Sequence, residues 1–185
     1  RIALIGCGNL GLSILNGLLK EGTTPDNIIA TKRNLDSILH LKETGESITT
    51  DNIQAVQNSE IIIVALKPYK IIEVLDELKA HFNPDKHILV SLATGISIEK
   101  IKATLQSSIP IFRAMPNTAA DVGTSMTCIC SNSNDQKTNL LVKQCFDSIG
   151  NSIIIDEDLM DSATVLGACG IAFVLRFIRG MIQGG

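Results

Sequence analysis

Short apolar runs alternate along the chain with segments in which apolar residues recur every three or four positions. The runs predict β-strands and the periodic segments predict helices. The predicted strands are Ile2–Ile5, Asn27–Thr31, Ser47–Thr49, Ile61–Leu66, His87–Ser91, Ile111–Ala114, Met126–Ser131 and Ser152–Ile155. The predicted helices are Leu10–Lys20, Asn34–Glu43, Ile53–Asn58, Lys70–Ala80, Ile98–Leu105, Gln136–Ile149 and Leu159–Ile182. Alternation of apolar strands with helices predicts an α/β fold with a doubly wound, mostly parallel sheet.

The last predicted helix, Leu159–Ile182, lacks the polar face that a surface helix needs. We therefore expect it to be buried on several sides, by a further domain or by a second subunit. Its most apolar stretch, Val165–Leu175, is too short to span a bilayer and is followed by Arg176 and Arg179, so we do not expect a membrane segment.

The first strand runs into a glycine-rich turn, Gly6-Cys7-Gly8-Asn9-Leu10-Gly11, which opens the first helix. In this strand-to-helix context we expect Gly6 to allow the tight turn, Gly8 to admit a pyrophosphate, and Gly11 to let the helix pack closely on the sheet. Free N–H groups at the helix start attract phosphate. The motif predicts a Rossmann-type dinucleotide site, against the alternative of an ordinary strand-to-helix turn.

The end of the second strand indicates which dinucleotide is preferred. Lys32 and Arg33 stand where binders of NAD carry an acidic residue, so they can pair with a 2′-phosphate, with Thr31 and Asn34 as neutral donors. The pattern favours NADP(H), with NAD(H) possible. The alternative is a solvated pair of cations, with Asp36 as a late acidic partner.

Three more strand ends should face the same ligand, because ligands of open α/β sheets bind beyond the carboxyl ends of the strands. They read Ala65-Leu66-Lys67-Pro68, Ala93-Thr94-Gly95 and Met115-Pro116-Asn117. Lys67 is a candidate base, although a phosphate or structural contact is the commoner role. Asn117 can hydrogen-bond a carboxamide or a substrate, and the alternative is a simple Pro-Asn turn.

Composition narrows the class of protein. The 185 residues are 45% hydrophobic and carry a net charge of -3, so we expect neither nucleic acid nor an anionic membrane as a partner. Five cysteines, an odd number, suggest reduced thiols and a cytoplasmic protein. Cys128 and Cys130 lack the second pair that a zinc site requires, so we expect no metal. The three histidines are interpreted as solvated and not catalytic.

Taken together and in this order, the segments resemble pyrroline-5-carboxylate reductase, the last enzyme of proline biosynthesis. The matching segments are Gly6–Gly11, Asp51-Asn52 with Ala55-Val56, Ala65–Pro68, Ala93–Ile96, Arg113–Thr118, and Asp158–Asp161 with Thr164 and Leu166. The most specific segment is Arg113-Ala114-Met115-Pro116-Asn117-Thr118. The resemblance covers nearly the whole chain.

The resemblance implies reduction of the cyclic imine 1-pyrroline-5-carboxylate to L-proline by hydride from NAD(P)H. It implies that Gly6–Gly11, Lys32, Asn52, Ala65, Lys67, Pro68 and Ala93–Gly95 line the cofactor site. With the residues predicted from the strand ends, the candidate cofactor-binding set is Gly6, Gly8, Asn9, Leu10, Gly11, Lys32, Arg33, Asn52, Ala65, Leu66, Lys67, Pro68, Ala93, Thr94, Gly95, Met115, Pro116 and Asn117. The candidates for contact with the reacting groups are Asn117 and Thr164. Asp161 lies one helical turn from Thr164, and capping or packing is the commoner role for it.

The resemblance also implies a division of the chain and a partner. Residues 1–155 would form the NADP-binding domain, and residues 156–185 would be a linker and the first helix of a helical dimerisation domain. The rest of that domain, with most of the substrate pocket, would lie beyond Gly185, and the protein would be a homodimer or a higher homo-oligomer.

Ala168-Cys169-Gly170-Ile171-Ala172-Phe173 departs from the family, because Ile171 stands where the family has proline and Cys169 where it has serine. Two other functions therefore stay open. One is another NADP-dependent imine or hydroxyacid reductase, and the other is a non-catalytic NADP(H)-binding module.

Overall fold

A computed structural model describes residues 1–185, which build one eight-stranded sheet in the order β3-β2-β1-β4-β5-β6-β7-β8. The strands are β1 (Ile2–Ile5), β2 (Ile28–Thr31), β3 (Ser47–Thr49), β4 (Ile61–Val64), β5 (Ile88–Ser91), β6 (Ile111–Met115), β7 (Ser125–Ser131) and β8 (Gly150–Ile154). The first six strands pair in parallel, β7 is antiparallel to β6, and β8 is parallel to β7. The predicted Rossmann-type sheet is confirmed, with its strands in the order 3-2-1-4-5-6.

Helices connect the strands across both faces of the sheet. They are α1 (Asn9–Lys20), α2 (His40–Thr44), α3 (Asn52–Gln57), α4 (Pro68–Leu78), α5 (Ile98–Leu105), α6 (Gln136–Asp147), α7 (Met160–Thr164) and α8 (Gly170–Gly184). Two buried apolar clusters lie on opposite faces, with Leu4 in one cluster and its neighbours Ala3 and Ile5 in the other. Because both faces are covered, the strands are the continuous apolar runs that the sequence contains.

The predicted helix Asn34–Glu43 is wrong. The segment forms a 3-10 turn at Asp36–Ile38 and then the short helix α2. The Asn34 side-chain oxygen accepts the Asp36 N–H at 2.8 Å, a local turn that competes with helical hydrogen bonding. Gly45, with φ of 102°, then ends α2. Local side-chain bonding therefore overrides the apolar spacing here.

Close packing of α1 depends on Gly17 rather than on Gly11. A Cβ at Gly17 would lie 2.6 Å from the Ser148 carbonyl oxygen and 2.6 Å from the Ile149 side chain. A Cβ at Gly11 would meet nothing nearer than the Gly6 carbonyl oxygen at 3.4 Å, an ordinary contact. The expectation that Gly11 is what lets the helix pack closely on the sheet is therefore wrong, because a methyl group fits there.

The C-terminal helix is longer than its most apolar stretch suggested. A π-helical turn at Val165–Cys169 joins α7 to α8, so the helical segment runs over Glu157–Gly184. Its most apolar 18-residue window has a mean hydropathy of 1.8 and is 0% buried, so by length and composition alone the helix is sufficient to cross a membrane. The length argument based on Val165–Leu175 is therefore wrong. The expected burial of this helix is not supplied by the chain itself.

Candidate functional site

A cavity of about 350 Å³ lies beyond the carboxyl ends of β1, β2 and β4. Six residues predicted to bind a cofactor line it together, namely Gly6, Lys32, Arg33, Asn52, Leu66 and Lys67. The parallel arrangement explains this meeting, because strands that run in the same direction end at the same edge of the sheet.

The glycine turn shapes one wall of this cavity. Gly6 has φ of 85°, a backbone conformation that favours glycine, and a Cβ on it would overlap the Leu66 side chain at the end of the neighbouring strand. Both the turn and this close contact therefore require glycine at position 6. At Gly8 the nearest atom to an added Cβ is 4.0 Å away, so the space in front of it is open. The N–H groups of Asn9, Leu10 and Gly11 have no hydrogen-bond partner in the chain, and no side chain caps α1. This is a cradle suited to a phosphate.

A hydrogen-bonded chain fixes the turn relative to α3. The Gly6 N–H donates to the Thr31 hydroxyl at 3.2 Å, and this hydroxyl donates to the Asn52 side-chain oxygen at 2.6 Å. Asp51 caps α3 by accepting the N–H groups of Ile53 and Gln54. The Asn52 amide group therefore keeps its own N–H donors free.

Thr31 is therefore not a free donor for a 2′-phosphate, contrary to the expectation for this strand end. It is 1% exposed and its hydroxyl is used within the turn. Asn34, the other expected neutral donor, is exposed, but its side-chain oxygen holds the local turn to Asp36.

Positive charge also lines this cavity. Arg33 is exposed and Lys32 is half-buried, and Lys67 comes directly before Pro68, the first residue of α4. Lys70 also lines the cavity but is paired with Glu73 at 2.7 Å. Lys32, Arg33 and Lys67 form no ion pair, which leaves three cations to meet an anionic ligand.

Two further predicted segments meet at the ends of β5 and β6. The Thr94 hydroxyl lies 3.8 Å from the Met115 sulfur, which joins the Ala93-Thr94-Gly95 turn to the Met115-Pro116-Asn117 turn. The Asn117 side-chain oxygen accepts the Ala119 N–H at 3.1 Å. Its side-chain N–H donors have no partner, so they remain available to a ligand.

Thr164 and Asp161 are carried by α7, at the start of the C-terminal helix, and not by a strand end. The Thr164 hydroxyl donates to the Met160 carbonyl oxygen at 2.7 Å, one turn back in the same helix. The hydroxyl hydrogen is therefore engaged, while the oxygen can still accept a hydrogen bond. Asp161 is exposed and makes no ion pair.

The thiols near the site are not nucleophiles. Burial raises the pKa of the Cys7 thiol to about 11, with a smaller opposing effect from Lys32. Cys130 lies on the strand beside Arg113, and burial likewise raises the pKa of its thiol to about 11. Both side chains are therefore neutral at physiological pH and serve as packing groups.

His87 is not solvated, contrary to expectation. It is 3% exposed, and its Nδ1 accepts the Asn83 N–H at 3.0 Å. Burial, assisted by the neighbouring charge of Lys86, lowers the pKa of His87. It begins the segment that enters β5, far along the chain from the glycine turn, and its bonds are structural.

The sequence interpretation missed an ion pair at the base of the C-terminal helix. Arg113, in the apolar strand β6, is 5% exposed and lies 2.7 Å from the Glu157 carboxylate. A charged residue inside an apolar run was the available signal, because such a residue is buried only with a partner.

A larger depression of about 630 Å³ lies elsewhere, lined by Arg1, Leu18, Glu21, Glu60 and Asp147 among others. Its carboxylates Glu21, Glu60 and Asp147 outnumber its one cation, Arg1, and disfavour a phosphate, and the glycine turn is not part of its lining. Size alone therefore does not identify the site, and the smaller cavity is the better candidate.

Several known proteins are similar in sequence to this chain. A family model described as NADP oxidoreductase coenzyme F420-dependent matches residues 1–95. Pyrroline-5-carboxylate reductase 2 of Dictyostelium discoideum is 38% identical, over 100% of this chain and 67% of that protein. Pyrroline-5-carboxylate reductase 1 of the same organism is 41% identical over 100% of this chain. This chain spans only 36% of pyrroline-5-carboxylate reductase 1, so it corresponds to part of the length of that protein.

Solved structures agree with these relatives. A pyrroline-5-carboxylate reductase from Coxiella burnetii superposes with a TM-score of 0.93 and 30% identity, covering 99% of this chain and 69% of that one. The Plasmodium falciparum pyrroline carboxylate reductase with NADP bound gives 0.88 and 27% identity, covering 100% and 68%. Both superpositions include the C-terminal helix, because they extend over essentially the whole chain. By sequence and by structure, this chain belongs to the pyrroline-5-carboxylate reductase family.

Proposed function

We propose that the full-length protein carrying this chain is an NAD(P)H-dependent reductase that converts 1-pyrroline-5-carboxylate to L-proline. The observation that carries the proposal is the glycine turn with three unpartnered N–H groups beside a cavity lined by unpaired cations. Membership of the family supports the substrate, since the relatives are named for it.

The cofactor proposed for this cavity is NADP(H). The N–H groups of Asn9, Leu10 and Gly11 would hold the pyrophosphate. Lys32 and Arg33 would pair with the 2′-phosphate, and the free amide of Asn52 would donate to the same region. The small residues Ala65, Ala93 and Gly95 favour close passage of the cofactor toward the end of β6.

The bound cofactor supplies the hydride, and the chain's own residues bind and orient the reacting groups. The Asn117 side-chain N–H groups would donate to the nicotinamide carboxamide or to the substrate. The Thr164 oxygen, whose hydrogen is engaged by Met160, would accept the N–H of a protonated imine. These contacts would act by proximity, which is worth about 7–11 kcal/mol at best when reacting atoms are held about 3–3.5 Å apart.

The decisive experiment follows NADPH loss and proline formation by the full-length protein with 1-pyrroline-5-carboxylate. Turnover of this imine is expected. NADPH binding without turnover of any imine would favour the non-catalytic binding module. Turnover of other imines or hydroxyacids, but not this one, would favour the related reductase.

A comparison of NADPH and NADH tests the cofactor preference. A ligand that binds only the folded state raises the melting temperature in proportion to the logarithm of its concentration over Kd. We expect the larger shift with NADPH. A larger shift with NADH would remove Lys32 and Arg33 from their proposed role.

We also propose that the protein is a homo-oligomer, at least a dimer, in which the C-terminal helix is covered by a second copy. The support is the exposure of Phe173, Phe177 and Ile182, which are 74%, 68% and 75% exposed in the isolated chain. Sedimentation of the full-length protein tests this, and a monomer at micromolar concentration would refute it.

Two further assignments complete the proposal. Residues 1–155 are the cofactor domain and residues 156–185 begin a helical domain, which limited proteolysis of the full-length protein should detect as a preferred site near the boundary. A cytoplasmic location is supported by five unpaired cysteines, and cell fractionation tests it.

A further inference from the structure

One carboxylate oxygen joins three separate segments of the chain. The Glu157 Oε1 atom lies 2.7 Å from the Arg113 Nη1 atom and also accepts the Ile98 N–H at 2.8 Å. Arg113 belongs to β6, Ile98 begins α5, and Glu157 lies three residues before α7. The start of the C-terminal helix is therefore attached to two elements of the sheet domain through a single atom.

The surroundings of this pair make it costly to maintain. The Arg113 side chain is 6% exposed, and its Nε atom is buried with no hydrogen-bond partner. Glu157 is the only carboxylate within ion-pair distance of it. The Glu157 side chain is 34% exposed, so the pair is buried on the arginine side only. Burying an arginine costs free energy that an ion pair often fails to recover, so stability alone is a weak reason for this arrangement. A role in fixing geometry accounts for it better.

The elements joined by the pair are those that carry the predicted reacting contacts. Arg113 lies two residues before Met115, where the turn to Asn117 begins. Ile98 lies three residues after Gly95, in the other turn at this edge. The pair therefore connects to both turns that follow β5 and β6.

The ion pair also holds the segment that leads into α7, the helix that carries Thr164. Glu157 lies three residues before Met160, which is 1% exposed and packs in the core cluster that contains Ile98 and Ile101. The buried Met160 side chain fixes the depth of α7, and the Glu157 carboxylate fixes its direction. Beyond them α8 has no buried residue to hold it.

We propose that Glu157 is a positioning residue that holds the helix bearing Thr164 against the turn bearing Asn117. The proposal rests on the function proposed above and deepens it, because it identifies what aligns the two groups expected to contact substrate. Glu157 itself contacts neither substrate nor cofactor in this scheme. It acts through Arg113 and through the first N–H of α5.

The test uses the full-length protein with Glu157→Ala and Glu157→Gln. Alanine removes both hydrogen bonds, whereas glutamine keeps an oxygen that accepts from Arg113 and Ile98. Val142→Ala is the matched control, because Val142 is fully buried in the cluster on the other face and lies outside the proposed site. It lowers stability without touching the pair.

We expect Glu157→Ala to lower kcat about 10- to 100-fold, the scale of a small misplacement of reacting groups. The Kd for NADPH should change by a smaller factor than kcat, because the glycine turn and the unpaired cations lie on other elements. Glu157→Gln should recover most of kcat, and Val142→Ala should leave it unchanged well below its melting temperature. Equal loss of kcat in Val142→Ala and Glu157→Ala would refute a positioning role.

A second measurement does not depend on turnover. Amide hydrogen exchange should become faster in Glu157→Ala in the peptides covering 113–120 and 157–166, and should not do so there in Val142→Ala. Unchanged exchange in both peptides would overturn the proposal. The two proposals can fail separately. If the wild-type protein does not reduce the imine but Glu157→Ala still shows the faster exchange, the proposed substrate is refuted and the positioning role is supported.

Discussion

Replacement by alanine is expected to have opposite effects on stability at Gly11 and Gly17, two glycines of α1. Alanine is favoured over glycine by about 1 kcal/mol in a helix interior. At Gly11 the added methyl group would meet only ordinary contacts, the nearest at 3.4 Å. Gly11→Ala should therefore be neutral or stabilising by up to about 1 kcal/mol, which raises the melting temperature by about 2–4 °C for a chain of this size.

At Gly17 the added methyl group would lie 2.6 Å from a backbone oxygen, Ser148 O, so the obstacle cannot rotate away. Reaching an ordinary contact of 3.4 Å requires α1 and the turn before β8 to separate by nearly 1 Å. Overpacking of this kind costs about 1–3 kcal/mol, which exceeds the gain in helix propensity. We expect a net loss of about 1–2 kcal/mol and a melting temperature lower by about 2–8 °C.

The assay is thermal unfolding of the full-length variants followed by circular dichroism, with NADPH titrations in parallel. Gly11→Ala should bind NADPH with a Kd within about twofold of the wild-type value, since the N–H groups of the turn are unchanged. A Gly17→Ala protein that melts at or above the wild-type temperature would refute the packing argument. So would a Gly11→Ala protein that is the less stable of the two.

Three further predictions concern charge and protonation. Lys32→Ala should weaken NADPH binding about 10- to 100-fold in titrations, the loss of one charge-assisted hydrogen bond of about 1.5–3 kcal/mol, while NADH binding stays unchanged. Because the pKa of His87 is lowered in the folded state, stability should be constant above pH of about 6.5 and fall as the pH drops below it. Urea unfolding across this range measures the fall, and His87→Gln should reduce it; an equal fall in that variant would contradict the assignment. In the 185-residue chain alone, where Cys169 is exposed, its thiol should react with a thiol reagent far faster than that of Cys7, whose pKa is about 11, and covering of the C-terminal helix in the oligomer should slow this reaction.

The strands and the glycine turn could be predicted from the sequence because both are local patterns. A parallel strand buried on both faces must be apolar throughout, so Ile2–Ile5 was predicted at its observed bounds. Gly6 could be predicted as part of a dinucleotide-binding turn because it lies between a predicted strand and a predicted helix. The gathering of Lys32 and Lys67 around one cavity followed from the rule that parallel strands end at the same edge.

What could not be predicted depends on contacts between distant residues. Gly17 faces the Ser148 carbonyl more than a hundred positions away, and nothing in the local sequence distinguishes it from a glycine in open space. His87 is buried although it lies at the polar entry to a strand. The partner of Arg113 is 44 residues away, so the arginine alone showed that a partner was needed but did not identify it.

The C-terminal helix is long and is attached to the sheet only near its start, so a small rotation there moves its far end over a large distance. Its 28 residues extend roughly 40 Å at about 1.5 Å per residue, and only its base is fixed to the sheet. A rotation of about 10° at Glu157 would therefore move Gly184 by roughly 7 Å, given that rise per residue. A small change of angle at the Glu157 carboxylate thus becomes a large displacement at the far end, so two copies of this chain can meet in register only if that attachment is stiff.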